Sequence, residues 1–348
     1  LNRDATMTTL LKTTLADKYH LKAGRVYLNG TQALVRLPLL QAERDKKEGL
    51  NTACFISGYR GSPLGNYDRE LWKAKDYLKE HNVQFTPGVN EELGATAVWG
   101  SQQTNLFHGA KKDGVFSIWY AKTPGIDRSG DALKHANYAG TAPYGGVLAL
   151  AGDDHNCKSS TIPCQSEYAF MDAQIPVLNP SNIQEFLDYG LLGWAMSRFS
   201  GLWVGMKTIS ETIDTSASIV IDPDHLQIIK PEFDFPEGGV HIRWSYRPLD
   251  QEYRLQRYKL YAALSFAKAN KLDRTIIQSK TPALGIVTSG KTYQDVLQAL
   301  SDLGISTERA SALGIQLYKV AMPWPLEPDG IRAFCRGLHE VIVIEEKR

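Results

Sequence analysis

Short apolar runs alternate with amphipathic stretches along much of the chain. Ala53–Ser57, Val115–Tyr120, Gly146–Ala151, Ile175–Leu178 and Leu202–Met206 are apolar on both sides of the strand repeat, which predicts strands buried on both faces. Between them, Asp68–His81, Glu91–Leu106, Gly130–Gly140 and Asn182–Phe199 are helix candidates. Ser181 is a candidate N-cap for the last of these and Gly201 its stop. Strand–helix alternation of this kind predicts a parallel sheet with helices on both faces, running to about residue 207.

Residues 208–280 break that rhythm. Ser210–Asp224 is polar and then β-rich. Pro231, Pro236 and the Gly238–Gly239 pair follow, and then a charged helical stretch, Gln251–Asn270. From Thr281 the alternation resumes: strands at Leu284–Thr288, Gln316–Val320 and Val341–Ile344, a helix at Tyr293–Leu303, and a short helix within Pro325–Gly337. The expected organisation is a larger α/β domain over 1–232, a strap over 233–280 and a smaller α/β domain over 281–348. The chain opens on Leu1 rather than Met and stops directly after an apolar run, which reads as a fragment of a longer polypeptide.

Composition narrows the function classes. Lys and Arg number 39 against 38 Asp and Glu, a net charge of +1, so no electrostatic case exists for nucleic acid or an anionic membrane. No apolar run reaches the roughly 18 residues of a membrane span, and the N-terminal stretch, with Arg3, Asp4 and Lys12, lacks the apolar centre of a secretory signal. The four cysteines, Cys54, Cys157, Cys164 and Cys335, form no C-x-x-C pair. A bound metal cluster and a disulfide framework are therefore both unexpected, and a reducing cytoplasm is the default.

Four polar segments follow predicted strands or open predicted helices, where ligands of parallel sheets bind. Gly58–Gly65 holds Arg60, Gly61, Ser62 and Pro63; its glycines allow close backbone approach, though a plain strand-to-helix turn has the same composition. Gly88–Gly100 opens a helix with Glu91 and Glu92. Acids there complement the helix dipole, but Gly94, Ala95, Ala97 and Gly100 also admit close packing that would desolvate a carboxylate. Lys122–Asp131 offers Lys122 and Arg128 to a carboxylate or phosphate, or only to a local Asp–Arg pair. Gly152–Thr161, with Asp153, Asp154 and His155, is a substrate-facing loop or a solvated turn; its spacing matches no standard metal site. Gly285–Thr292 fits the phosphate-loop formula G-x-x-x-x-G-K-[ST], but Ile286–Thr288 read as strand where that loop must curl around phosphate.

Taken in order, FISGYRGSPLG, PGVNEELGATAVWGSQQ, GVFSIWYAKTPGIDRSGDALKHAN, GGVLALAGDDHNCKSST and IPVLNPSNIQEFLDYG resemble the N-terminal region of the 2-oxoacid:ferredoxin oxidoreductases, most closely the long, fused bacterial indolepyruvate form. GIVTSGKTYQDVLQAL and VAMPWPLEPDGI resemble the domain that follows in that family. The resemblance implies a pyrimidine-type thiamine diphosphate domain followed by a smaller domain like the C-terminal one of transketolase. It implies oxidative decarboxylation of an aryl 2-oxo acid, indole-3-pyruvate, with coenzyme A and ferredoxin. Glu91 falls at the family's cofactor-activating carboxylate, with Glu92 as the fallback. Gly61, Ser62 and Pro63 fall at a turn whose hydroxyl lies near the substrate, where the family often has Thr. Arg60 stands in place of a commoner Pro. His155 follows Asp154 where pyruvate-specific relatives carry an Arg, so Lys122 and Arg128 become substitute partners for the substrate carboxylate. Mg²⁺, the diphosphate and 4Fe–4S clusters would belong to other parts of a full protein, a homodimer or larger, and this chain alone would not turn over. Two other readings stay open: a non-oxidative thiamine diphosphate enzyme and a non-catalytic assembly domain.

Overall fold

The computed structural model describes residues 13–159, 162–222, 224–244 and 247–347. Ser160 and Thr161 of the polar segment after β5 (defined below), the N-terminal Arg3, Asp4 and Lys12, and Arg348 lie outside the described residues.

Twelve strands occur along these residues: β1 (Gly24–Asn29), β2 (Ala53–Gly58), β3 (Val83–Phe85), β4 (Val115–Lys122), β5 (Val147–Asp153), β6 (Val177–Leu178), β7 (Trp203–Ile209), β8 (Ser216–Ile221), β9 (Arg274–Ile277), β10 (Leu284–Ser289), β11 (Ile315–Val320) and β12 (Glu340–Ile344). A six-stranded sheet in the order β3-β2-β4-β5-β7-β6 is parallel throughout. Its inner strands explain the two-sided apolar runs. Phe116, Ile118 and Tyr120 of β4 and Leu148 and Leu150 of β5 enter one core. Trp119, Ala121, Val147, Ala149 and Ala151 enter another. The first core also takes side chains of the helices Gly30–Lys47 and Ile183–Ser200; the second takes those of Glu91–Ser101 and Gly130–Ala139. β1 and β8 form a separate antiparallel ribbon.

Several expected elements shift for identifiable reasons. The helix expected over 68–81 breaks at Ala74 into Tyr67–Lys73 and Lys75–Glu80. The one expected over 91–106 ends at Ser101, and a short 3₁₀ turn, Thr104–Leu106, follows. The helix from Ile183 is capped by Asn182, whose side chain accepts from the Glu185 amide; Ser181 instead donates to the Glu185 carboxylate. Gly201 does end that helix, in the left-handed conformation (φ +73°). The 18-residue helix Gly30–Lys47 had no sequence counterpart. Pro38 sits in its interior, and every residue from Ala33 to Gln41 is buried, so no polar face marks the helical period. Its start was nonetheless encoded, because Asn29 and Gln32 form a capping box.

The stretch read as a strap is composite. Helical residues 248–269 pack on the first core through Leu255, Ala263 and Phe266. Arg274–Ile277 is β9, the antiparallel edge of the second sheet, ordered β12-β10-β11-β9. That sheet docks on the first beside β6: the Val177 amide donates to the Trp324 carbonyl (2.7 Å) and the Asn179 amide to the Ala321 carbonyl (2.8 Å). Lys319 of β11 is wholly buried against the Glu185 carboxylate and the Ser181 hydroxyl of the first domain. The phosphate-loop formula lies on β10, whose backbone is extended through Ser289. Lys291 then pairs with Asp295 one helical turn on (2.7 Å), so no curled loop is formed there. Among the described residues, no helix is long and apolar enough to cross a membrane.

Candidate functional site

Parallel pairing brings the carboxyl ends of β2, β4 and β5 side by side, with Gly58 opposite Tyr120 and Lys122 opposite Gly152. Three of the four polar segments start there. Their glycines decide how closely they approach. A side chain on Gly58 would collide with the Tyr120 carbonyl, and one on Gly94 would meet Gly58 at 2.9 Å. The helix Glu91–Ser101 therefore seats its first turn on the end of β2. Trp119 of β4 fixes it from below, donating its indole N–H to the Glu91 carbonyl (2.9 Å).

Glu91 is the first residue of this helix, and Asn90 caps it by accepting from the Leu93 amide (2.8 Å). The Glu91 side chain folds back over Gly125, where a Cβ would lie 2.4 Å from its Cγ and 2.7 Å from Oε1. Only 13% of the side chain is exposed, and Oε2 is buried without a hydrogen-bond partner. The nearest cation is Arg128, with Nη1 3.9 Å from Oε2; its own side chain is 67% exposed. Leaving a carboxylate oxygen buried and unpaired costs on the order of 1–3 kcal/mol or more, an expense that folds tolerate where a ligand completes the bonding. Glu92, the fallback, is exposed.

The Arg60–Pro63 turn lies across the same edge. Gly61 rests on Lys122, where a Cβ would sit 2.8 Å from the Lys122 Cβ, and Pro63 lies against Gly152. Ser62 is half-buried and Arg60 exposed. Behind them Tyr120 donates to Asp68 (2.5 Å), and burial raises the Asp68 carboxyl above its ordinary range. Lys122 is already engaged, donating to the Ser159 carbonyl (3.1 Å) and lying 3.7 Å from Asp154. Asp154 in turn accepts from the amides of Lys158 (2.8 Å) and Ser159 (2.9 Å). That makes Asp154 the organiser of its loop and leaves Lys122 occupied.

His155 departs from the expected arrangement. Its ring turns from the β2–β4–β5 edge toward the second sheet, with Nδ1 donating to the Cys164 carbonyl (3.1 Å) and Nε2 3.4 Å from Glu346. Beside it, Asp153, expected in a substrate-facing loop or solvated turn, is instead the fully buried last residue of β5. Asp153 accepts from Thr123 (2.5 Å) and from the Ser166 amide and hydroxyl (3.0 Å each). Burial pushes its carboxyl up to about 7 although Lys207 lies 3.8 Å away. Lys207 also pairs with Glu167, so one lysine serves two acids.

Residues 274–348 match the family model of the indolepyruvate oxidoreductase domain. The indolepyruvate oxidoreductase subunit IorA of Methanothermobacter marburgensis is 23% identical over 326 residues, 93% of this chain and 47% of that protein. Its counterpart from Pyrococcus horikoshii is 24% identical over 332 residues, 92% of this chain and 45% of that protein. The chain thus spans about half the length of the curated relatives it matches. A solved 2-oxoglutarate:ferredoxin oxidoreductase from Magnetococcus marinus, with 2-oxoglutarate, coenzyme A and succinyl-CoA bound, superposes with a TM-score of 0.64. It is 15% identical, over 92% of this chain and 57% of that one.

Proposed function

Because this chain is related to the IorA subunits of indolepyruvate oxidoreductase along nearly its whole length, we propose that it supplies the pyrimidine-gripping half of a thiamine diphosphate site in a 2-oxoacid:ferredoxin oxidoreductase. The reaction would convert an aryl 2-oxo acid such as indole-3-pyruvate, with coenzyme A and oxidised ferredoxin, to acyl-CoA, CO₂, a proton and reduced ferredoxin, which takes up the electron pair of the oxidation. The observation that carries the reading is the Glu91 carboxylate: buried, lacking a partner on Oε2, and held over a glycine that leaves it room.

These residues fit the cofactor's pyrimidine ring. Thiamine diphosphate, when bound, would supply a carbon that becomes nucleophilic on losing its proton and a cationic ring able to take up the electron pair left by CO₂. Glu91 would hold a proton against a ring nitrogen, the role for which a carboxylate needs partial desolvation and a fixed position. Asn90 and Trp119 fix that position through the backbone of the first helical turn. Gly61, Ser62 and Pro63 would line the substrate side, Ser62 offering its hydroxyl. Arg128 suits the substrate carboxylate better than Lys122, which Ser159 and Asp154 already occupy. Arg60 is exposed at the mouth. The diphosphate, Mg²⁺ and iron–sulfur clusters would be held by other parts of the full protein.

The test is substrate-dependent reduction of ferredoxin or a viologen dye by the full-length protein, wild type against Glu91→Gln. Loss of about two orders of magnitude or more with folding intact supports the assignment, within the range of general acid–base roles. Near-normal turnover removes it.

A further inference from the structure

The loop that follows β5 carries a feature that the cofactor reading does not use. His155 projects from it toward the end of β12, where Glu346 approaches from the second sheet; the His155 side chain is only 6% exposed. A carbonyl can only accept, so the bond from Nδ1 to the Cys164 carbonyl fixes the Nδ1 tautomer with its hydrogen in place. In the neutral ring, Nε2 then presents a lone pair. Glu346 Oε2 stands 3.4 Å from it, and Nε2 as placed is buried without completing a hydrogen bond to any described residue. Two lone pairs at that distance attract only if a proton lies between them.

We propose that Glu346 is a positioning residue: by sharing one proton with His155 it clasps the loop after β5 to the second sheet. The clasp reaches the candidate site through that loop. Two residues of it, Lys158 and Ser159, bind the Asp154 carboxylate through their amides, and Ser159 also holds Lys122. Releasing His155 removes the tie from the far side of this turn. The inference concerns the chain's own loop and stands whether or not the cofactor reading does.

Burial of Glu346 favours a held proton there, and the neighbouring lysines oppose it. Lys207 of β7, Glu167 of the helix Glu167–Asp172, and Lys347 face His155; Lys207, Lys291, Glu211 and Asp295 face Glu346. Burial, followed by Lys207, lowers the imidazole, and burial raises the Glu346 carboxyl above its ordinary range in spite of Lys207 and Lys291. The direction of the pH response follows. A carboxyl raised in the folded state contributes stability that is complete below its ordinary range and lost as pH rises through the raised value. The clasp therefore loosens as pH rises and the shared proton leaves.

The experiment is hydrogen exchange of the loop amides between about pH 5 and about pH 9, expressed as protection relative to intrinsic rates. It compares the wild-type protein with Glu346→Gln and Glu346→Ala. In wild type, protection of residues 155–159 falls on the order of tenfold as pH rises, the factor expected for one lost buried hydrogen bond. Glu346→Gln keeps a donor facing Nε2 at every pH, so its loop stays protected and the pH response disappears. Glu346→Ala gives low protection throughout. The clasp is overturned if Glu346→Gln follows the wild-type curve, or if wild-type protection does not change with pH. Loss of the Glu91 phenotype in dye reduction leaves these outcomes untouched.

Discussion

Gly125→Ala tests whether Glu91 is held in its observed place by space alone. Gly125 is buried within the helix Thr123–Arg128 and its φ is not positive, so alanine meets no backbone strain there. Exchanging a helical glycine for alanine stabilises by up to about 1 kcal/mol. The opposing effect is steric. The new Cβ would stand 2.4 Å from Glu91 Cγ and 2.8 Å from its Cδ, and Cγ is not the free end of the chain, so the carboxylate must swing out or the helices must part. Overpacking of this kind costs about 1–3 kcal/mol. In the presence of Glu91 the substitution should destabilise by roughly 1–2 kcal/mol. In a Glu91→Ala background the three nearest atoms, Cγ, Cδ and Oε1 of Glu91, are gone, and the same substitution should be neutral or stabilising. A double-mutant cycle by urea unfolding, with unchanged m-values, should therefore return a coupling of about 1–3 kcal/mol. In the full-length protein, Gly125→Ala should also lower dye reduction toward the Glu91→Gln level. Equal effects of Gly125→Ala in both backgrounds would refute this reasoning and leave the carboxylate's position to be explained by other contacts.

Asp153→Asn should flatten the pH dependence of stability. The folded carboxyl titrates near 7, held up by burial, so wild-type stability declines as pH rises from about 4 to about 7. An asparagine removes that decline, readable in thermal unfolding at stepped pH. Lys319→Ala should cost about 3 kcal/mol, the low end for a broken buried pair, because it leaves the Glu185 carboxylate between the two sheets with only Arg274, 3.7 Å away and part-exposed, as cation. Replacing both partners with apolar residues should recover much of that loss in denaturant unfolding. Lys291→Ala removes a part-exposed i,i+4 pair with Asp295 and a looser one with Glu346 (4.0 Å), about 0.3–1 kcal/mol in all, and nucleoside triphosphates should shift the melting temperature of neither form.

What the sequence by itself determined is the local periodicity and the punctuation. Two-sided apolar runs at 115–120 and 146–151 can be satisfied only between layers, so the parallel sheet was legible before any contact was known. Glycines at 58, 61 and 94 marked places where backbone comes close, and two acids opening a small-residue helix marked a carboxylate that packing would dry. The helix Gly30–Lys47 was invisible because burial on all sides erases the polar face by which a helix is read, and Pro38 argues locally against it. Only the tertiary structure decided which loop meets which. Strand order places Gly61 on Lys122 and Glu91 over Gly125, separating Glu91 from its exposed neighbour Glu92. It also turns His155 away from the site, because its partner Glu346 lies 191 positions later, at the end of a strand in another sheet. Periodicity encodes which face of an element is buried; it carries no information about distant chain ends, which strand pairing and sheet docking bring together.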